Sequence, residues 1–398
     1  MRHPRISGTE LMGVVFFLAF ASSMLCAQGV ISVFPQFASG GGWTSDIFID
    51  NQGTLAAIID VAFYGDDGAA LTVDTTLGSG PSFSVNLNGG NTKLVRVTSG
   101  SAVKIGYVVL SFPNGASVRA SEVFRFEQNG VVISALGVAQ QFPLTSFSFP
   151  AEVDLARGVN TALAIANGPF ETGGSKAQMC VVNLVKSDGS LQGTAIVNFG
   201  AGEHLSKFLN QGGLFPGLDG FSGTVSISAA RPFGLVALRQ DQAAFGSVSV
   251  DAGPMVAPFL LNTAAIPEVE PNNSRSQAQR ISGAAVIAGT ISVPGDVDYF
   301  QFTGKQGDVL SALVSTVSLT SGLDSVLFLV NSDGTVVASN DENGLFFSND
   351  SFIQTVLPAD GTYYLAVTDF SNRGGPNGTY RLHLQFLTPA VKQFTPQR

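Results

Sequence analysis

Glu268-Val-Glu-Pro-Asn-Asn273, followed by Gly295-Asp-Val-Asp-Tyr-Phe-Gln-Phe302, decides how the last third of this 398-residue chain is read. The two segments carry six side chains that offer oxygen: Glu268, Glu270, Asn272, Asn273, Asp296 and Asp298. Carboxylates mixed with amide oxygens are what a hard cation such as calcium takes. Asp298-Tyr-Phe-Gln-Phe302 alternates with period two and reads as a strand.

Further strands follow from there, at 309–317, 325–330, 335–338, 352–357, 361–367 and 378–386, punctuated by Asp-Gly and Gly-led turns. The same grammar extends upstream. Residues 30–262 hold a diverged repeat of two copies. The first opens at Phe34-Pro-Gln-Phe37 and the second at Phe149-Pro-Ala-Glu152. Each copy runs into an Asp-Gly turn, at 67–68 and 188–189. A Gly-led strand comes next, at 106–112 and 223–229, and then a further strand, at 117–126 and 233–240. Four correspondences in one order argue for duplication. Turns every 8–12 residues favour antiparallel sandwiches. Gly202-Glu-His-Leu-Ser-Lys-Phe-Leu209 is expected to form one or two helical turns.

The sequence therefore predicts an all-β chain divided into a signal peptide at 1–27, β-sandwich repeats at 28–145 and 146–262, a linker at 263–267, a last sandwich at 268–387 and a tail at 388–398.

Composition narrows the function. Charged residues make up only 12%, about half the roughly 25% of an ordinary soluble domain. The net charge of −9 gives no basic footprint for nucleic acid. Residues 268–387 hold 12 acidic against 5 basic side chains, an imbalance that suits solubility or cation binding. Arg2, Arg5 and the apolar run from Leu11 to Ala27 form an export signal, with cleavage after Ala27 or after Ser23. Cys26 raises lipidation, but Leu25 occupies a position where a lipobox needs a small residue. Once the signal is removed no later segment is apolar enough to span a membrane, and Cys180 stands alone in a strand-like run.

The C-terminal segment resembles the bacterial pre-peptidase C-terminal domain, a secreted β-sandwich that includes collagen-binding modules of clostridial collagenases. The resemblance covers about 120 residues. It is carried by Glu268–Asn273, Gly295–Phe300, Leu323-Asp324, Asp333-Gly334 and Gly361-Thr-Tyr-Tyr364. It implies a jelly-roll-like sandwich and a calcium site built from Glu268, Glu270, Asn272, Asn273, Asp296 and Asp298, with the Tyr299 carbonyl. Asn273 stands where relatives carry Asp, which weakens the charge of the site. In the competing reading Pro271-Asn272-Asn273 caps a short Ser274–Ile281 helix and Asp296 shapes a turn. The two upstream repeats resemble the immunoglobulin-like sandwiches of secreted bacterial proteins.

Other features point less sharply. Asp341 and Asp350 belong to a second acidic group and form a weaker candidate metal site, while Asn331-Ser-Asp-Gly334 fits a plain hairpin turn. Trp43, Tyr364 and Tyr380 are candidate aromatic contacts to a ligand, with Trp43 better suited to a core anchor than to a sugar platform. Of Tyr363 and Tyr364, one must face inward. Catalysis lacks support, because neither His204 nor His383 lies beside a nucleophile motif. The expectation is a secreted or surface-associated, non-catalytic binding or adhesion protein with calcium stiffening its last domain, recognising an extracellular protein or glycan. An export or maturation module, and an unrecognised extracellular hydrolase, are the alternatives.

Overall fold

The computed structural model describes residues 29–97, 100–171, 173–253, 259–316, 321–341 and 349–387. The expected signal peptide at 1–27 and the tail at 388–398 lie outside them, as do Pro254 and Pro258.

The first sandwich contains β1 (Val30–Ser39), β2 (Trp43–Asn51), β3 (Ala57–Gly65), β4 (Val73–Thr75), β5 (Gly78–Gly80), β6 (Ser82–Leu87), β7 (Thr92–Arg96), β8 (Lys104–Phe112), β9 (Val118–Gln128) and β10 (Val131–Ala139). Its two sheets run β1-β8-β3-β6 and β10-β9-β2-β7, with β4 and β5 as a small separate ribbon. Alternation on β2 and β3 turns Ile47, Ile49, Ile59, Val61 and Phe63 inward against Phe34, Phe37 and Leu110. Each such side chain contributes about 1.5–3 kcal/mol on full burial.

The second sandwich contains β11 (Leu144–Val153), β12 (Val159–Ala166), β13 (Gln178–Lys186), β14 (Leu191–Phe199), β15 (His204–Phe208), β16 (Phe221–Asp241), β17 (Ala244–Val248) and β18 (Asp251–Ala252). Apart from the β4–β5 ribbon of the first copy and β18 of the second, it repeats the strand order of the first. One sheet runs β14-β13-β16-β11, with β18 added at the edge; in the other, β12 lies between β15 and β16, and β17 flanks β16. Residues 221–229 of β16 take the place of β8, and 234–241 that of β9. In the first copy Pro113-Asn114-Gly115 separates the two strands, whereas in the second a single 21-residue strand crosses from sheet to sheet.

Within Gly202–Leu209, expected as helical turns, His204–Phe208 instead form strand β15, antiparallel to β12. Backbone pairing with Ala162–Ala166 satisfies donors and acceptors that a two-turn helix would leave largely open at its ends.

The third sandwich contains β19 (Ile266–Pro267), β20 (Gln279–Arg280), β21 (Ala285–Thr290), β22 (Val297–Gly304), β23 (Val309–Ser315), β24 (Ser325–Asn331), β25 (Val336–Asn340), β26 (Ser351–Val356), β27 (Gly361–Asp369) and β28 (Thr379–Leu387). Two five-stranded sheets, β19-β21-β28-β23-β26 and β20-β22-β27-β24-β25, enclose Phe300, Phe302, Leu310, Leu327, Leu365 and Leu382. No helix forms over Ser274–Ile281. A turn closed by Gln277 N–H donating to Ser274 O leads into β20, which runs parallel to β22. Ile266 and Pro267, expected in the linker, run parallel to β21.

The sandwiches pack on one another. Phe124, Leu136 and Val138 of the first meet Ala164 and Val236 of the second. Val181 and Ile196 of the second meet Val309 and Val356 of the third, where Asn183 Nδ2 donates to Gln354 Oε1 at 2.7 Å. Among the described residues no helix is long and apolar enough to cross a membrane.

Candidate metal centre

On β22 the period-two alternation places Asp298 on the same inward face as Phe300 and Phe302, and the Asp298 side chain is fully buried. Its position at the open end of the sandwich lets the lead-in reach it. After β19, Glu268 N–H donates to Ala288 O, continuing the strand. The chain then crosses from one sheet to the other, and Asn272 O accepts from Tyr299 N–H at 2.9 Å. Asp296 comes from the turn before β22, where Gly295 takes a φ of 84° open to glycine.

The two segments thus converge. Glu270, Asp296 and Asp298 each place a carboxylate oxygen within 4.8 Å of the others. Asp296 Oδ2 accepts from Ser292 N–H at 2.7 Å and from Ser292 Oγ at 2.9 Å, which aims the carboxylate. Glu268 Oε1 accepts from Thr290 N–H at 2.8 Å, and Glu270 Oε2 from Asn272 N–H at 2.9 Å. Opposite them, Asp296 Oδ1 and Glu268 Oε2 are buried with no hydrogen-bond donor.

The buried Asn272 amide has two ways to sit. One of its terminal atoms lies 3.0 Å from Asp298 Oδ1, 3.2 Å from Glu270 Oε2 and 3.3 Å from Asn273 Oδ1. With nitrogen there, the amide donates to all three. With oxygen there, four oxygens face one another and need a cation between them. The carboxylates of Glu270, Asp296 and Asp298 and the Asn272 amide are thus in mutual reach, with Asn273 beside Asn272.

Electrostatics give the cluster two states. Burial pushes the Asp298 carboxyl up to about 9, opposed by the hydrogen bond from Tyr380 and reinforced by the charges of Glu268 and Asp296. Glu268 is raised too, first by burial, with hydrogen bonds to Asp298 and Thr290 working against the shift. Without a cation the group holds a proton at neutral pH; a hard cation neutralises the same charges and displaces it.

Tyr380 is not an exposed platform for a ligand. It is 1% exposed, packs in the core and donates to Asp298 Oδ2 at 2.6 Å. Strand β28 pairs with β21 so that Tyr380 lies opposite Gly289, and a Cβ on Gly289 would sit 2.3 Å from the phenol oxygen. Nothing local to Tyr380 in the sequence signals this role. Tyr363 faces inward, while Tyr364 lies half-buried against Val326 and Phe328 on the outer face. Trp43 is half-buried and packs on Phe126, ring centroids 4.8 Å apart.

Among the described residues, the second acidic group does not bring three carboxylates together as the first does. Asp341 is exposed, and Asp350 Oδ1 accepts from Thr316 N–H and Oγ1 at 2.6 and 2.8 Å. Asn331 Oδ1 accepts from Asp333 and Thr335 N–H, closing a hairpin turn. Glu342 lies outside the described residues. His204 contacts Asp66 and a carbonyl, His383 Nδ1 accepts from Leu261 N–H, and burial pushes the sealed Cys180 thiol up.

The fold and site define an all-β chain that ends in a sandwich with an oxygen-lined acidic cluster. Residues 296–369 match the sequence model of the bacterial pre-peptidase C-terminal domain, so the third sandwich carries that domain. Over 136 residues the chain is 38% identical to a probable subtilase-type serine protease of Deinococcus radiodurans. That match covers 30% of this chain and 18% of the relative, so the chain spans about a fifth of that protein. Among solved structures, the pre-peptidase C-terminal domain of a Bacillus anthracis collagenase aligns over its whole length and 29% of this chain, at 19% identity and a TM-score of 0.22. The BSP domain of a biofilm-associated protein aligns over 78% of its length and 90% of this chain, at 11% identity and a TM-score of 0.17. Pre-peptidase C-terminal domains occur in secreted proteins.

Proposed function

We propose that this is an extracellular, non-catalytic binding or adhesion protein whose third sandwich is stabilised by calcium. The observation that carries the reading is the meeting of Glu270, Asp296 and Asp298 with two buried, donorless carboxylate oxygens beside them. Glu268, Glu270, Asn272, Asn273, Asp296 and Asp298 would hold the ion, with the Tyr299 carbonyl as a further ligand. The ion supplies charge neutralisation. The protein's own residues orient the oxygens, through Ser292, Thr290 and Tyr380.

Glu268 follows β19 in one sheet and Asp298 stands on β22 in the other, so a filled site would tie the two sheets together at the end of the sandwich. An extracellular protein or glycan would then be met by the sheet faces and loop tips of this stiffened chain, where low charge favours polar and stacking contacts.

Thermal melting of the full chain with calcium and with excess chelator tests the reading. A rise of several degrees with calcium, lost in Glu268→Ala/Asp298→Ala, is the expected result. No shift at millimolar calcium would remove the ion from the account.

The subtilase-type relative favours a second reading, in which the third sandwich serves export or maturation of a larger secreted system. Deleting 264–398 would then reduce secretion and leave ligand binding intact.

A further inference from the structure

The junction between the first two sandwiches contains a histidine whose ring is sealed from solvent and held at both nitrogens. His204, the first residue of β15, has no exposed side-chain surface. Its Nδ1 lies 2.8 Å from Asp66 Oδ1 and its Nε2 lies 2.8 Å from Pro35 O, and both partners belong to the first sandwich. A carbonyl oxygen can only accept, and so can an ionised carboxylate. Both bonds exist together only when both ring nitrogens carry hydrogen. The neutral ring keeps one bond and turns a lone pair toward an acceptor at the other.

The surroundings make this ring a joint. His204 N–H donates to Asp66 O at 3.0 Å, and Tyr107 Oη donates to Gly202 O at 3.0 Å. Gly68 and Gly202 touch backbone to backbone; a Cβ on Gly68 would sit 2.5 Å from Gly202 C. Asp66 is the charged group that faces the ring, while Asp67 turns away to accept from Ala69 N–H. Tyr107 lies beside the ring, centroids 6.1 Å apart, stacked in turn on Tyr64, and burial pushes its phenol up. On the second sandwich, Glu203 folds back to accept from Gly200 N–H.

We propose that His204 is a proton-operated latch between the first and second sandwiches, closed when both ring nitrogens carry hydrogen and loosened when one is lost. A histidine ring gains its second proton on the acid side, so the latch holds toward the acid side and slackens as pH rises. The apolar contacts of Phe124, Leu136 and Val138 with Ala164 and Val236 remain, so the change is in stiffness at the joint and not in the fold of either sandwich.

The test follows histidine side-chain resonances of the full chain by NMR from pH 5 to pH 9, together with exchange of the His204 amide corrected for its intrinsic rate. His204→Gln identifies the ring signal. The ring is expected to carry two protons at the acid end, and the protection of the amide to fall about tenfold as one leaves, the scale of a lost charge-assisted hydrogen bond. Asp66→Asn separates the latch from a merely packed histidine. Its amide can donate to a bare Nδ1, so protection is expected to stay level across the range. Level protection in the natural chain, a neutral ring at pH 5, or an unchanged pH dependence in Asp66→Asn would each overturn the proposal.

Discussion

Tyr380 and Asp298 face each other across the two sheets of the third sandwich, the phenol on β28 donating to the carboxylate on β22 at 2.6 Å. Each justifies the other's burial. The phenol needs an acceptor in the core, and the carboxylate, buried among like charges, needs a donor, a proton or a cation.

The Asp298 carboxyl is raised to about 9, so the folded state keeps a proton that the unfolded chain gives up near pH 4. Stability from this source is complete below the unfolded value and is lost as pH rises toward 9. In chelator the melting temperature should fall steadily from pH 5 to pH 9. Millimolar calcium should flatten that slope, and Asp298→Asn should make the slope shallower and abolish the calcium response in calorimetric scans.

Gly289→Ala tests the seat of Tyr380. Its Cβ would meet the phenol oxygen at 2.3 Å, so the ring must shift away from Asp298, at a cost of about 1–3 kcal/mol in urea unfolding. Gly137→Ala is the control. Its Cβ meets nothing within 4 Å, its φ is ordinary, and the change should be neutral or stabilising by up to ~1 kcal/mol.

Glu122 on β9 is fully buried, with both carboxyl oxygens lacking a partner. Burial pushes its pKa well up, against a smaller pull from Ser45, whose hydroxyl donates to Ala38 O. The folded chain therefore holds it neutral, and stability is lost as pH rises. Glu122→Gln removes the titration and should leave a chain more stable than the natural one at pH 8, with the difference shrinking toward pH 5. Equal curves at both pH values would contradict the assignment.

His383 behaves in the opposite sense. Burial, aided by Arg381 and opposed by Asp350, lowers its pKa, and its Nδ1 accepts from Leu261 N–H at 3.1 Å, which needs the bare ring nitrogen. Its contribution is complete above the ordinary value of about 6.5 and is lost as pH falls below it. Between pH 7.5 and pH 5.0 the natural chain should lose stability that His383→Asn does not, measured by denaturant unfolding.

Much of the architecture is written locally. Asp298-Tyr-Phe-Gln-Phe302 carries its own period of two, and residues 297–304 form the strand that this alternation predicts. The parallel order of motifs in 34–126 and 149–240 corresponds to sheets paired in the same order. The meeting of Glu270 with Asp296 and Asp298 was one of two readings open in the sequence, because carboxylates and amides in this pattern suit a hard cation while Pro271-Asn272-Asn273 equally suited a helix cap.

What local sequence does not carry is the partner of a segment. Gly202–Leu209 has the composition of a short helix or a strand, and pairing with β12 decided the matter. Tyr380 looked like an aromatic contact until β28 brought it to a carboxylate 82 residues away. His204 acquired both its acceptors from another sandwich. The sequence by itself determined strand periodicity, turn positions, duplication and the acidic lead-in, because each depends on residues a few positions apart. The tertiary structure alone decided which buried polar group meets which, because hydrogen-bond satisfaction in a core depends on long-range packing.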